Sequence, residues 1–206
     1  MNSAKLYIQL ENDFITSALS DDWAIYMSPV SDFLTDNFKK RSMGLVCDNS
    51  NRITKVYTAV FPSVKVMQQI LAANEENILL FVHHPEIWDI RKNTIFQQMD
   101  TNLLTQFKER GNSIYNLHVP LDNFGKYSTS ATLANALGVT DLQPFALYYG
   151  ALAGVFGTTI YNSVADISRH FSLVMGHYTS LYLYGSEEIK DRRVAVVAGG
   201  GNNPDV

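Results

Sequence analysis

Four side chains that commonly bind metals follow two short apolar segments of this chain. His83 and His84 come directly after the first segment, and His118 and Asp122 come after the second. If both segments are strands of one parallel sheet, these side chains meet outside the carboxyl ends of the strands. Imidazole and carboxylate together are typical ligands of first-row transition metals. The spacing therefore predicts a metal site at one edge of a sheet.

The adjacent histidines favour two ions over one. Neighbouring residues of an extended chain point to opposite sides, and Pro85 favours extended geometry at His84. We therefore expect His83 and His84 to bind one ion each, with Asp122 on one of the two ions. A pair of ions about 3.5–4 Å apart can activate water and stabilise a leaving group.

The remaining histidines admit more ordinary interpretations. His118 taken alone could equally be a structural hydrogen-bonding residue or a residue beside the metal. The adjacent pair combined with Asp122 favours a metal site. His170 and His177 fall in a predicted helix and the loop after it, and we expect structural roles for both.

Other motifs give weaker signals. The glycine run 199–201 follows a predicted strand, but no Walker lysine and no G-x-G-x-x-G pattern accompanies it, so a tight turn is favoured over a phosphate site. Gly150, Gly154 and Gly157 fit close packing or a bulge as well as ligand approach. Cys47, without an evident paired base, is expected to be a small core residue.

The elements that must position these residues alternate between strand and helix. Residues 53–138 predict strand, helix, strand, helix, strand, helix, with the second helix over 95–110 and closed by glycine. This alternation implies parallel strands joined by right-handed crossovers. The β-prone segments 43–48 and 53–61 predict a hairpin or two neighbouring strands.

The flanking regions predict further elements. The first twenty residues show helical spacing of apolar side chains. After residue 140 we predict a helix over 164–171 and strands over 180–184 and 194–198. The last strand runs into a glycine loop that a helix would normally follow, and the chain stops a few residues later. Either the C-terminal part is truncated or the final strand is a real terminus, and the pattern favours truncation.

Composition excludes several classes of protein. The 206 residues are 46% hydrophobic and 17% charged, with a net charge of −4, as in a folded protein without the basic excess that indicates nucleic acid. A single cysteine excludes an internal disulfide framework and a cysteine-only zinc site. Neither a signal peptide nor an apolar run of about 20 residues is present, so no membrane contact and a cytoplasmic location are expected.

The sequence also resembles a known family. The resemblance is carried by Val82-His83-His84-Pro85, by Asn116-Leu117-His118-Val119-Pro120-Leu121-Asp122, and by a following helix with Leu133-Ala134 and Leu137-Gly138. These segments are similar to the NGG-interacting factor three-like family, whose members carry the name type-two GTP cyclohydrolase I. The similarity is clear over about residues 1–138 and extends to 194–201.

The resemblance implies an α/β fold of two similar lobes, with largely parallel or mixed sheets and flanking helices. Residues 1–140 would form the first lobe and residues 141–206 an incomplete second lobe. It also implies a dinuclear metal site and a homo-oligomer, commonly a ring-like hexamer. His83, His84 and Asp122 match the metal-binding residues, and His118 matches a histidine close to the site. The family completes its site with a further histidine and glutamate beyond the glycine loop, which this sequence does not reach.

Two functions from different classes follow. The first is a metal-dependent hydrolase acting on a nucleotide-like or phosphate-containing small molecule, with His118 orienting a ligand or transferring a proton. The second is a non-catalytic regulatory or interaction protein with a metal centre. The two ions could be zinc, iron, manganese, cobalt or nickel, since imidazole and carboxylate ligands suit all of these. The substrate is not indicated by the residues.

Overall fold

The computed structural model describes residues 1–86 and 98–199. The chain divides into two compact units, Met1–Pro120 and Leu121–Val206. The division into lobes at residue 140 stays a prediction. Among the described residues, no helix is both long and apolar enough to cross a membrane.

The first unit contains a four-stranded mixed sheet with the strand order β1-β4-β3-β2. Strands β2, β3 and β4 are parallel to one another, as the alternating pattern predicts, and β1 pairs with β4 in the antiparallel direction. The α/β class is thereby confirmed. The elements, in chain order, are α1 (Ser3–Phe14), α2 (Asp36–Arg41), β1 (Gly44–Cys47), β2 (Lys55–Ala59), α3 (Val64–Ala72), β3 (Ile78–Val82), α4 (Thr101–Glu109) and β4 (Ser113–Asn116), with short 3-10 helices at Trp23–Tyr26 and Ser28–Phe33.

The predicted pairing of β1 with β2 is wrong, because these strands lie at opposite edges of the sheet. The polar linker between them runs past the ends of the two central strands. The backbone N–H of Asn49 donates to the Ser113 hydroxyl at the start of β4, and that of Thr54 donates to the Asn77 carbonyl just before β3. Residues 49–52 therefore belong to a linker that crosses the end of the sheet from β1 to β2, and they do not form a hairpin turn.

Amphipathic helices cover this sheet. Helix α3 begins after Ser63, whose hydroxyl accepts from the Val66 amide, and it buries Met67, Ile70 and Leu71. Helix α4 begins after Asp100 and ends before Gly111, which has a φ of 66°. The part of the predicted helix 95–110 from 98 onward agrees with α4 within a few residues, and residues 95–97 lie outside the described ones.

Cys47 lies in the core of the first unit. Its side chain is buried at the end of β1 among the apolar residues of the sheet and helices. Burial raises the pKa of the Cys47 thiol to about 12. The expectation of a small core residue rather than a nucleophile agrees with this environment.

The second unit contains a three-stranded antiparallel sheet of order β5-β6-β7. A small apolar core lies between this sheet and α6, formed by Ala131, Ala134, Leu137, Val139, Val155 and Val196. The remaining elements are α5 (Val119–Asp122), whose last two residues belong to this unit, α6 (Thr129–Ala136), β5 (Thr140–Tyr148), β6 (Ala151–Thr158), α7 (Val164–Met175), a 3-10 helix at Lys190–Arg192, and β7 (Arg193–Val197).

Two glycines of β6 pack closely against the neighbouring strand β5. A Cβ atom at Gly157 would lie 2.3 Å from the backbone oxygen of Thr140, and one at Gly154 would lie 2.7 Å from the Phe145 ring. Both neighbours belong to β5. Of the alternatives that the sequence left open for these two glycines, packing between strands agrees with the structure better than the approach of a ligand.

The predicted strand over 180–184 is wrong. These residues are irregular in the structure, and Tyr182 and Tyr184 are 73% and 95% exposed. Aromatic residues favour strands when they pack on a half-buried surface, which this segment does not provide. The strand predicted at 194–198 corresponds to β7, and Gly199 follows it with a φ of 74°. The rest of the predicted glycine turn, 200–201, lies outside the described residues.

Candidate metal centre

The histidines stand where two parallel strands end. Backbone hydrogen bonds continue past β3 and β4: the amide of His83 donates to the Ala59 carbonyl, and that of Leu117 donates to the Val82 carbonyl. The side-chain amide of Asn116 also donates to the backbone oxygen of His83. These bonds hold the two strand ends in register, so the residues that follow start from fixed positions.

The structure brings His83, His84 and His118 together. One ligand nitrogen from each ring lies within 4.8 Å of the other two. The ring centroids of His83 and His84 are 4.5 Å apart, and those of His84 and His118 are 4.6 Å apart. The predicted convergence of these three histidines is confirmed. The expectation that the adjacent pair points to opposite sides is wrong, because the chain bends at His83.

His83 has a defined tautomer. Its Nδ1 lies 3.0 Å from the backbone oxygen of Leu117. A carbonyl oxygen only accepts hydrogen bonds, so Nδ1 carries the proton and donates it. The lone pair of the neutral ring is then on Nε2, the atom that remains for a metal.

His84 is held neutral by apolar surroundings. The Phe61 ring stacks on it at 5.2 Å between centroids, and the Trp23 ring contacts it edge-on at 5.2 Å. Burial, with His118 and His83 nearby, lowers its pKa to about 2. Its Nδ1 is buried without a hydrogen-bond partner among the described residues. A neutral imidazole with an unpartnered buried nitrogen fits the requirement of a metal ligand.

Two side chains lie within hydrogen-bonding distance of the same nitrogen of His118. The indole Nε1 of Trp23 and the carboxylate Oδ2 of Asp21 each lie 3.0 Å from Nδ1 of His118. The side chain of Asp21 is 1% exposed. His118 therefore has hydrogen-bonding neighbours and also lies in the histidine cluster, and its role beside a metal stays a prediction.

Asp122 belongs to the second unit. It ends α5, and one of its carboxylate oxygens accepts a hydrogen bond from the Thr129 hydroxyl at 2.7 Å. Its role as a metal ligand stays a prediction. His170 and His177 also belong to that unit: His170 lies beside the Tyr161 ring, and Nδ1 of His177 lies 3.0 Å from the carbonyl of Tyr178.

The sequence analysis missed Asp21 and Trp23, which contact the cluster, and the buried carboxyl of Glu86, two residues after His84. No motif or spacing in the sequence singles out any of these three residues. Glu86 follows the His-His-Pro segment, is fully buried, and accepts from the side-chain amide of Gln98 at 2.6 Å. The distance along the chain explains the first two omissions, because Asp21 and Trp23 precede His118 by 97 and 95 residues. No local spacing relates them to that histidine.

Comparison with known proteins places this architecture in a family. The profile of Duf34/NIF3 (NGG1p interacting factor 3) matches residues 34–204. The chain belongs to this family. The resemblance inferred from the His-His-Pro and H-x-x-x-D segments is confirmed.

Individual relatives extend this result. The chain is 30% identical over 159 residues to a GTP cyclohydrolase 1 type 2 homolog of Deinococcus radiodurans, covering 77% of this chain and 58% of that protein. Two solved structures share the NIF3 fold. The protein ybgI, described as of unknown function, gives a TM-score of 0.71 at 20% identity and covers 98% of this chain and 71% of its own. A Bacillus cereus protein related to NIF3 gives a TM-score of 0.63 at 12% identity, and the match covers 98% of this chain and 78% of that protein.

Proposed function

We propose that this NIF3-family chain binds divalent transition metal through His83, His84 and His118. The observation that carries the proposal is the cluster of three imidazole nitrogens within 4.8 Å of one another. Two features support it: His84 is neutral with an unpartnered buried Nδ1, and His83 donates through Nδ1, which leaves Nε2 for the metal.

The proposed activity is metal-dependent hydrolysis of a nucleotide-like or phosphate-containing small molecule. A bound divalent ion would act as a Lewis acid and lower the pKa of water. His118 is a third candidate ligand; if the ion is held by the other residues instead, His118 would orient the ligand or hold a proton beside it. The nucleotide part rests on the name of the relatives, GTP cyclohydrolase 1 type 2 homolog, and this chain spans 58% of the first of them. Asp122 and a second ion belong to the same proposal.

The metal is tested first. The chain is reconstituted separately with zinc, iron, manganese, cobalt and nickel, and bound metal per chain is measured by plasma mass spectrometry. We expect one to two equivalents for at least one metal, a loss of bound metal in His84→Ala, and the loss of one equivalent in Asp122→Asn if two ions bind. His177→Ala removes an exposed histidine outside the cluster and should leave the content unchanged. No bound metal in the unaltered chain with any of the five would contradict the proposal.

Activity separates the two proposed functions. Release of phosphate or opening of the base from nucleoside triphosphates, dependent on added metal and absent in His84→Ala, would support the hydrolase. A chain that binds metal in the same experiment but turns over none of these substrates would support the regulatory alternative. The ring-like hexamer and the cytoplasmic location are also proposed, and the hexamer rests on the family resemblance alone.

A further inference from the structure

The environment of His118 contains a conflict between two hydrogen bonds. An indole N–H only donates a hydrogen bond, and a carboxylate only accepts one. Trp23 and Asp21 both lie 3.0 Å from the same atom, Nδ1 of His118. This atom can accept from Trp23 when it carries a lone pair or donate to Asp21 when it carries a proton. It cannot do both at once.

The hydrogen-bond partner of Nδ1 decides whether Nε2 of His118 can bind a metal. If Nδ1 of His118 donates to Asp21, the lone pair of the neutral ring is on Nε2, and Nε2 can bind a metal. If Nδ1 accepts from Trp23, the proton is on Nε2, which can then donate a hydrogen bond but cannot ligate. The two neighbours of His118 therefore correspond to two chemically different metal sites.

The surroundings of Asp21 favour the first arrangement. Its side chain is 1% exposed, and a buried carboxylate is costly unless donors surround it. One oxygen accepts from the Asp22 amide at 2.9 Å, and the other faces His118. A hydrogen bond to a carboxylate is roughly twice as strong as one between neutral groups, such as indole to imidazole.

We propose that Asp21 is a positioning residue: it accepts the Nδ1 proton of His118 and thereby presents Nε2 of that ring to the metal. Trp23 is the competing donor, which selects the opposite, non-ligating tautomer when Asp21 is removed. This inference rests on the proposed metal function, and it assigns the tautomer of the third ligand to a residue 97 positions away.

The first test measures the tautomer without metal. In the metal-free chain with excess chelator, long-range proton–nitrogen NMR spectra show which nitrogen of each neutral histidine ring carries the proton, and a His118→Gln variant identifies the His118 signals. We expect the proton on Nδ1 in the unaltered chain and in Trp23→Phe, and on Nε2 in Asp21→Ala. A proton on Nε2 of the unaltered chain, or no transfer in Asp21→Ala, would overturn the inference.

The second test measures affinity for cobalt, followed by its absorption spectrum. We expect Asp21→Ala to weaken binding about 10- to 100-fold, the range for residues that orient metal-bound histidines. Trp23→Phe should bind at least as tightly as the unaltered chain, because the competing donor is gone. Asp32→Ala, an exposed aspartate of the same unit, is the matched control and should change nothing.

The two tests also separate the inference from the proposed function. If the unaltered chain binds no metal, the proposed function fails and the tautomer spectra alone decide the role of Asp21. If Asp21→Ala weakens binding while the His118 tautomer stays unchanged, the effect is structural and the inference is overturned. Thermal unfolding in chelator shows whether each variant is folded.

Discussion

Glu86, two residues after His84 in the sequence, illustrates how the pKa of one side chain depends on its surroundings. The residue is fully buried, and one carboxyl oxygen accepts from the Gln98 amide while the other is buried without a partner among the described residues. Burial raises the pKa of Glu86 to about 7, against the partly opposing bond from Gln98. The protonated form is therefore favoured well above the ordinary range of a glutamate.

The raised pKa of Glu86 predicts a specific pH dependence of folding. Because the native chain holds this proton more tightly than the unfolded chain, the stabilisation is fully present below pH 4.5 and is lost as pH rises through about 7. Glu86→Gln should reduce the fall in unfolding free energy between pH 5 and pH 8 by up to about 3 kcal/mol.

Denaturant titrations at the two pH values, in excess chelator to keep the histidines metal-free, measure this difference. Glu109→Gln alters an exposed glutamate of α4 and serves as control. An equal pH dependence in Glu86→Gln and the unaltered chain would contradict the prediction.

The histidine cluster was predictable from sequence at this scale, whereas its supporting residues were not. His83, His84 and His118 directly follow strands, so the rule that parallel strands end at one edge suffices to bring them together. The orientation of the adjacent pair depends on a bend just past β3, which the rule for extended chains does not describe. Asp21 and Trp23 reach His118 only through tertiary packing.

At the scale of elements, Gly157 is the glycine of the β5–β6 hairpin that lies closest to backbone of the neighbouring strand. Gly157→Ala would place a Cβ atom 2.3 Å from the backbone oxygen of Thr140, and a backbone atom cannot move aside as a flexible side chain can. We expect a loss of about 1–3 kcal/mol in unfolding free energy, as for other overpacked sites.

Gly125→Ala is a matched control for this substitution. It lies in the same unit, its Cβ would meet nothing within 4 Å, and its backbone is outside the left-handed region. Thermal and urea unfolding of both variants test the prediction. Equal stability of Gly157→Ala and Gly125→Ala would contradict the prediction, because it would show that β5 and β6 can move apart to accommodate the added methyl group.

The order of the elements was more predictable than the pairing of the edge strands. Alternating strand and helix patterns define β2, β3 and β4, because each helical crossover returns the chain to a parallel neighbour. The position of β1 was not accessible, because it depends on the polar linker that crosses the sheet end between Asn49 and Thr54. The segment 180–184 was mispredicted because β propensity does not reveal whether a surface exists to pack against.

At the scale of the whole molecule, the second unit exposes several large apolar side chains. Helix α7 has no buried residue, Leu173 is 73% exposed, and Tyr178 and Tyr184 are at least 90% exposed. Large exposed apolar patches commonly mark association surfaces. This observation is compatible with the proposed homo-oligomer and gives it a testable location.

We expect concentration-dependent self-association of the chain in sedimentation velocity, up to the mass of several 23.1 kDa chains. A double variant, Leu173→Glu with Tyr184→Ser, should raise the dissociation constant at least tenfold, since it places charge and polarity on exposed apolar positions. Ile8→Ser changes a similarly exposed apolar residue of the first unit and should have no effect. A single 23.1 kDa species at every concentration would contradict the prediction.

The burial of Cys47 has a practical consequence for measurements of local unfolding in the first unit. It is the sole thiol of the sequence, it is buried in β1, and its pKa of about 12 keeps it almost wholly protonated near neutral pH. Alkylating reagents attack the thiolate, so modification has to wait until β1 separates from β4. The rate of Cys47 alkylation therefore reports how often the first unit opens locally, and no cysteine has to be introduced to measure it.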